Sequence, residues 1–331
     1  MVSIGLSAGA VARIRFAVSC LWEVAASVRV LRDSGSHAVH LPWANRVRPH
    51  LIKAGLIGSD GGMLWQLIPA APGYLPDFLT PPAVGLTPDL HTELAALCET
   101  PPVVVRAHLD LYAGDGLYAG DRPTAVRELY AHPEEGLRRL ADEITTYWRI
   151  ALAPDWPRIR ILLDAEVFQR ARTLAEDGAA GLLNDLHERV RWEHDTLSIS
   201  LRYCGAADVA DGDGLVLIPS VFVWPSVMSV AADSPQLAYP ARGIATLWEG
   251  PRRASDALTA VIGRGRAQIL VEMRSPLSTT ELAERTGMSA GGVSQHLAAL
   301  RGAGLVATHR HGRTVLNVRT TVAEALLSVA T

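Results

Sequence analysis

Cysteine is scarce in this chain, and no Trp, Tyr or Phe lies beyond residue 250. Cys20, Cys98 and Cys204 are odd in number, far apart, and outside any C-x-x-C or Cys/His grouping. That spacing argues against a disulfide framework or a thiolate zinc site and fits small buried hydrophobes in a reducing cytosol. A basic-then-apolar leader is missing too, because Arg13, Arg15 and Glu23 interrupt the first apolar stretch, so a cytoplasmic protein is expected. The G-x-G-x-x-G, P-loop and H-E-x-x-H patterns are absent, which removes the common signatures of dinucleotide, nucleotide and zinc-hydrolase chemistry.

What is present divides into two parts. A length of 331 residues suggests about two domains, and 49% hydrophobic with 20% charged residues is ordinary globular composition. The net charge of −3 hides an asymmetry: residues 251–331 hold ten Arg and no Lys against five acidic residues, a balance of +5, which leaves −8 for residues 1–250. All eight Trp, seven Tyr and four Phe precede residue 250. An acidic, aromatic-bearing body (1–250) and a basic tail domain (251–331) are expected, with only the tail suited to a polyanion.

Along the body, Ile14, Val18, Leu21, Ala25 and Val28 recur at helical spacing and predict a core helix from about Ala10 to Leu31, stopped by Asp33-Ser34-Gly35. A Pro- and Gly-rich stretch follows through Pro82. Thr87-Pro88-Asp89 then predicts a helix to about Glu99, with Thr87 as N-cap and Pro88 at the first position. Residues 134–150 and 158–193 read as helix, with a break near Gly178, and Leu197, Ile199 and Leu201 alternate as a strand. The uncharged segment from Gly214 to Ala232 approaches membrane-spanning length, but Pro219 and Pro225 oppose a helix. It reads instead as two buried strands, Leu215–Ile218 and Val221–Val223. The fold class expected is α+β, with a mostly helical N-terminal domain carrying a small β-sheet near 196–245. Pro251-Arg252-Arg253 is expected as the linker, followed by a C-terminal winged helix-turn-helix.

That last assignment rests on residues 277–318. Ser278 and Glu281 form a capping box, Leu282 and Ala283 give an apolar face, and Gly287 supplies a sharp turn. Ser289 can cap a second helix, whose Val293, Leu297 and Leu300 make a buried stripe and leave Ser294 and Gln295 outward. A short polar face of this kind suits the major groove, where Gln pairs with adenine and Ser with several bases. Gly291 and Gly292 weaken the helix but permit close approach to a sugar-phosphate backbone. Two strands, 305–308 and 314–318, then flank His309-Arg310-His311-Gly312-Arg313, a basic hairpin tip placed for phosphate or minor-groove contact. Arg264, Arg266 and Arg274 could add backbone contacts. His296 reads equally as a base reader or a packed residue, and the wing could instead serve protein contacts alone.

Residues 255–320, with Val293-Ser294-Gln295-His296-Leu297, Leu300-Arg301, Ala303-Gly304-Leu305-Val306 and the basic wing, resemble the ArsR-type (ArsR/SmtB-like) regulators. The resemblance implies a dimeric repressor on a pseudo-palindromic DNA operator, with dimer surfaces near Ala257–Ile262 and Val322–Val329. The DNA-contacting set expected is Ser289, Gly291, Ser294, Gln295, His296, Arg301, His309, Arg310 and Arg313. Metal sensing is not expected, because Pro276-Leu277-Ser278-Thr279-Thr280 lacks the thiolates of metal-sensing members and the tail lacks a ligand set. The body resembles an uncharacterised domain found ahead of such winged helices, on Leu21-Trp22-Glu23-Val24, Pro219–Pro225 and Pro240-Ala241-Arg242-Gly243.

No cofactor is expected. For the body the leading expectation is a small organic effector site or a dimer contact, with Trp22, Trp43, Trp65, Trp148, Trp192 and Trp224 either lining a pocket or serving as core. The alternatives are an architectural DNA binder without ligand control, or an enzyme fused to a winged helix. The enzyme reading is weak. Asp164 and Glu166 point different ways on one helix, and Asp211 and Asp213 fit a hairpin turn.

Overall fold

Apolar residues on all sides of a helix demand that it be surrounded, and the stretch from Cys20 to Leu31 meets that demand. In the computed structural model, which describes residues 2–33, 35, 37–59, 61–70, 73–114, 123–200, 214–230, 235–248, 256–311 and 314–329, the chain forms two units, Met1–Trp248 and Glu249–Thr331. The N-terminal unit opens with β1 (Val2–Gly5), α1 (Ala8–Val11) and β2 (Arg15–Phe16) before α2 (Cys20–Arg32). The single helix expected from Ala10 is therefore split. Ser19 accepts a hydrogen bond from the Trp22 amide at 3.1 Å and starts α2 at Cys20.

Around α2 lie α3 (Leu41–Lys53), α4 (Met63–Leu67), α5 (Leu90–Cys98), α6 (Pro102–Gly114), α7 (Thr124–Ala131), α8 (Pro133–Ala151) and α9 (Trp156–Asn184). The N-cap of α5 is Asp89, not Thr87: its carboxylate takes the Thr92 amide at 2.9 Å. Two helix starts are capped from elsewhere in the fold. Glu93 on α5 accepts from the Ser19 hydroxyl and the amides of Cys20 and Leu21, and Glu143 on α8 accepts from the amides of Met63 and Leu64. Each carboxylate meets donors that an isolated helix leaves unpaired, at its positive end. Helix α9 breaks at Gly178, where φ is +70°, and ends at Asn184. The helix expected to 193 thus stops early, because Val190 belongs to a strand.

Strands β3 (Val190–Glu193) and β4 (Thr196–Ile199) form an antiparallel sheet with β1, in the order β1-β4-β3. A second sheet has the order β2-β5-β7-β6, with β5 (Val216–Ser220), β6 (Met228–Val230) and β7 (Gln236–Pro240). In it β2, β5 and β7 run parallel and β6 antiparallel. The single small sheet expected is therefore two, drawing on both ends of this unit. Strand β5 is buried throughout. Its Val216 and Ile218 face the helical core, while Leu217 faces a second core shared with the three-stranded sheet and the end of α9, so an uncharged run is what this position requires. Val221–Val223 are not a strand as expected. They form a buried turn, pinned where the Val221 amide donates to Glu23 at 2.9 Å.

The C-terminal unit contains α10 (Asp256–Ile262), α11 (Arg264–Glu272), α12 (Thr279–Thr286), α13 (Ala290–Gly302), β8 (Val306–His311), β9 (Thr314–Arg319) and α14 (Thr321–Val329). Its separate core joins Ile269, Leu270, Leu282, Val293, Leu297, Leu300 and Val306. Pro251-Arg252-Arg253, Asp211, Asp213 and Leu201 lie outside the described residues. Trp22 and Trp43 are wholly buried core, and no helix among the described residues is long and apolar enough to cross a membrane.

Candidate nucleic-acid interface

The geometry of residues 278–302 follows from local rules. Ser278 Oγ accepts from the Glu281 amide at 3.3 Å while Glu281 accepts from the Ser278 amide at 2.8 Å, closing the expected capping box. Gly287 ends α12 at φ +68°, a conformation that costs a residue with a Cβ. Ser289 then caps α13 by accepting from the Gly292 amide at 3.2 Å. Packing of α13 on α11 and α12 buries Val293, Leu297 and Leu300. Gly291, Ser294, Gln295, Ala298, Ala299 and Arg301 stay exposed.

The hairpin β8–β9 runs from the pair Val306↔Arg319 to His311↔Thr314. Leu277 adds a bridge to Asn317, whose buried side-chain amide donates to the Leu277 carbonyl at 3.1 Å. Two antiparallel strands standing beside an exposed helix complete a helix-turn-helix with a wing. His309 is exposed on β8. Arg313 lies outside the described residues, and for Arg310 the backbone alone is described, paired with Val315.

Residues 265–308 match the family model for bacterial regulatory proteins of the arsR family. The C-terminal unit is an ArsR-type winged helix. Comparisons with curated proteins and with solved structures find no match for the chain.

Within this winged helix the sequence-predicted residues separate by geometry. Ser289, Gly291, Ser294, Gln295 and Arg301 lie on one exposed side of α13 or at its start. His296 does not share that side. It is half-buried, and its ring lies against Gly265 of α11, where a Cβ would come within 2.6 Å of Nε2. Gly265 thereby makes room for the imidazole, so packing accounts for this histidine. Arg301 Nε donates to the Leu297 carbonyl at 3.3 Å and Nη1 to Thr308 Oγ1 at 3.4 Å, holding the guanidinium between helix and wing.

Not every tail arginine is free for a polyanion. Arg319 donates to the carbonyls of Leu270 and Val271 at 2.7 and 2.8 Å and pairs with Glu324 at 3.3 Å. It satisfies carbonyls at the end of α11, and burial lowers its pKa from the usual value. Its role was missed because composition counts all arginines alike. The expectation that no G-x-S-x-G pattern is present is corrected by Gly287-Met288-Ser289-Ala290-Gly291, which spells it, the form of a hydrolase nucleophile turn. That turn requires a strand leading into a helix. Here it joins two helices, and Ser289 Oγ is engaged as a cap.

Among the described residues no three His, Cys, Asp or Glu side chains converge as a metal site. In the N-terminal unit Asp164 pairs with Arg160 at 2.7 Å, whereas Glu166 is buried against Arg170 at 2.6 Å and Arg242 at 3.1 Å. The two carboxylates have separate partners.

Proposed function

We propose that this protein is a transcriptional regulator that binds duplex DNA as a homodimer, and that a non-metal small molecule acting on the N-terminal unit controls it. One observation carries the reading: α13 buries Val293, Leu297 and Leu300 and leaves Ser294 and Gln295 exposed, the division expected of a helix that enters the major groove. In this reading Gln295 and Ser294 read base edges. Ser289 and Gly291 let the start of α13 approach the backbone, and Arg301, His309, Arg310 and Arg313 contact phosphates. The match to the arsR family model supports it. So do the exposed Val261 on α10 and Val322 on α14, apolar side chains suited to a second copy, and a two-fold dimer fits a pseudo-palindrome.

Footprinting of the full chain on the region upstream of its own gene is the test. Two protected half-sites, about one helical turn apart centre to centre, are expected. Absence of protection at any salt concentration would overturn the proposal.

A further inference from the structure

The last described residue of the N-terminal unit, Trp248, is held in a slot made by three other rings. Its Nε1–H donates to His40 Nδ1 at 3.1 Å. Its ring stacks on Trp43 with centroids 6.2 Å apart and planes 29° apart, and stands 6.0 Å from both Phe222 and His40. The slot itself is buried and hydrogen-bonded into the core. His40, Trp43 and Phe222 are at most 1% exposed, Trp43 Nε1 donates to the Ala151 carbonyl at 2.8 Å, and Phe222 sits on the turn pinned by Glu23. Trp248 alone is half-exposed, following the short turn Ile244–Thr246.

Three buried rings with one half-exposed ring between them describe a binding site already filled by part of its own chain. The occupant shows what the slot recognises: a planar aromatic body, and one ring N–H directed at the imidazole lone pair. Because Nδ1 accepts that hydrogen bond, the other nitrogen, Nε2, carries the hydrogen of a neutral ring, and burial favours that neutral form. An anionic ligand gains nothing in such a lining, whereas an indole-like heterocycle regains the ring contacts and the N–H bond that Trp248 makes.

We propose that the Trp248 slot is the effector site of this regulator, taking a planar aromatic ligand with a ring N–H that displaces the Trp248 indole. The inference rests on the regulator reading for its consequence, though not for its chemistry. Trp248 immediately precedes Glu249, where the C-terminal unit begins. Releasing the indole therefore frees the anchored end of the chain that leads to the winged helix, a change in tether that ligand binding can drive only by its preference for the released state. A tethered indole competes at an effective concentration on the order of millimolar, so the natural ligand must bind better than indole.

The test uses the full chain and titration calorimetry, with indole as probe and benzofuran, which replaces the N–H by oxygen, as comparator. In Trp248→Ala, whose slot is vacated, indole is expected to bind at least about tenfold more tightly than to the wild type and about three- to tenfold more tightly than benzofuran. Equal binding of the two probes, or no gain over the wild type in a variant whose circular dichroism is unchanged, would overturn the site. Should Trp248→Ala not fold, Trp248→Phe keeps a ring without the donor. It is expected to bind indole more tightly than the wild type does, and binding no tighter overturns the site. DNA affinity is then compared between the wild type and folded Trp248→Ala, whose chain end is already released. A difference supports control through this slot; equal affinities remove the effector role. Failure of both proteins to bind DNA would instead sink the regulator reading, with the calorimetric result standing by itself.

Discussion

Glu23 and His40 enclose the same buried turn at Val221–Phe222 and respond to pH in opposite senses. Burial pushes the Glu23 carboxyl up from 4.5 to about 7, so the folded chain holds a proton there that the unfolded chain has lost. The stability this provides is complete below pH 4.5 and is lost as the pH rises through 7. Burial pushes His40 down from 6.5 to about 3, so its stabilising contribution is present above pH 6.5 and is lost as the pH falls through 3. The two trends blunt each other between pH 4.5 and 6.5 in the wild type. Glu23→Gln, which can still accept the Val221 amide but cannot ionise, is expected to gain on the wild type from pH 4.5 to 7 and to run parallel above it. Urea midpoints at pH 5 and pH 8 measure this. A constant difference would mean that Glu23 is ionised throughout. On the winged helix, Arg310→Ala with Arg313→Ala is expected to weaken binding to all duplexes alike and to lower the salt slope by about 1 for each arginine. Anisotropy titrations over a salt series measure this, and loss confined to one sequence would contradict a phosphate role.

Helices in the N-terminal unit owe their starts to distant partners as much as to their own sequence. Glu93→Ala leaves the Ser19 hydroxyl and the Cys20 and Leu21 amides without the carboxylate they share. A loss of about 2–3 kcal/mol in the denaturant stability of this unit is expected, and a loss below about 0.5 kcal/mol would show that water replaces the carboxylate there. Leu297→Ala acts in the other core. It is expected to cost the C-terminal unit about 2–5 kcal/mol while the tryptophan fluorescence transition stays in place, since every tryptophan precedes residue 249. These elements also show what the sequence makes legible. The capping box at Ser278, the turn at Gly287 and the buried stripe of α13 were readable because each depends on residues within one or two turns. The helix starts set by Glu93 and Glu143, and the pairing of β1 with β4 and of β2 with β5, were not, because their partners lie tens to hundreds of residues away. The split at residues 12–19 was hidden for the same reason: Ile14 and Val18 keep helical spacing, but Arg15 and Phe16 between them pair with Val216 and Leu217. His296 could have been suspected from Gly265, a small residue on α11, but only once α11 and α13 are known to cross there.

At the scale of the whole chain, charge and aromatic content separate along the sequence as the two units do. An acidic body that carries all the tryptophans and a winged helix with a +5 balance suit a protein that senses with one part and meets DNA with the other. Arg319 shows that net charge overstates the number of phosphate contacts, because at least one arginine serves the fold. The account depends above all on the outward side of α13 reading bases. The most direct test is full-chain affinity for the footprinted duplex and for a scrambled duplex, in the wild type and in Gln295→Ala. The expected result is a preference that falls by about 1–3 kcal/mol per half-site in the variant, with affinity for the scrambled duplex unchanged. Equal losses on both duplexes, or a wild type without preference, would contradict it.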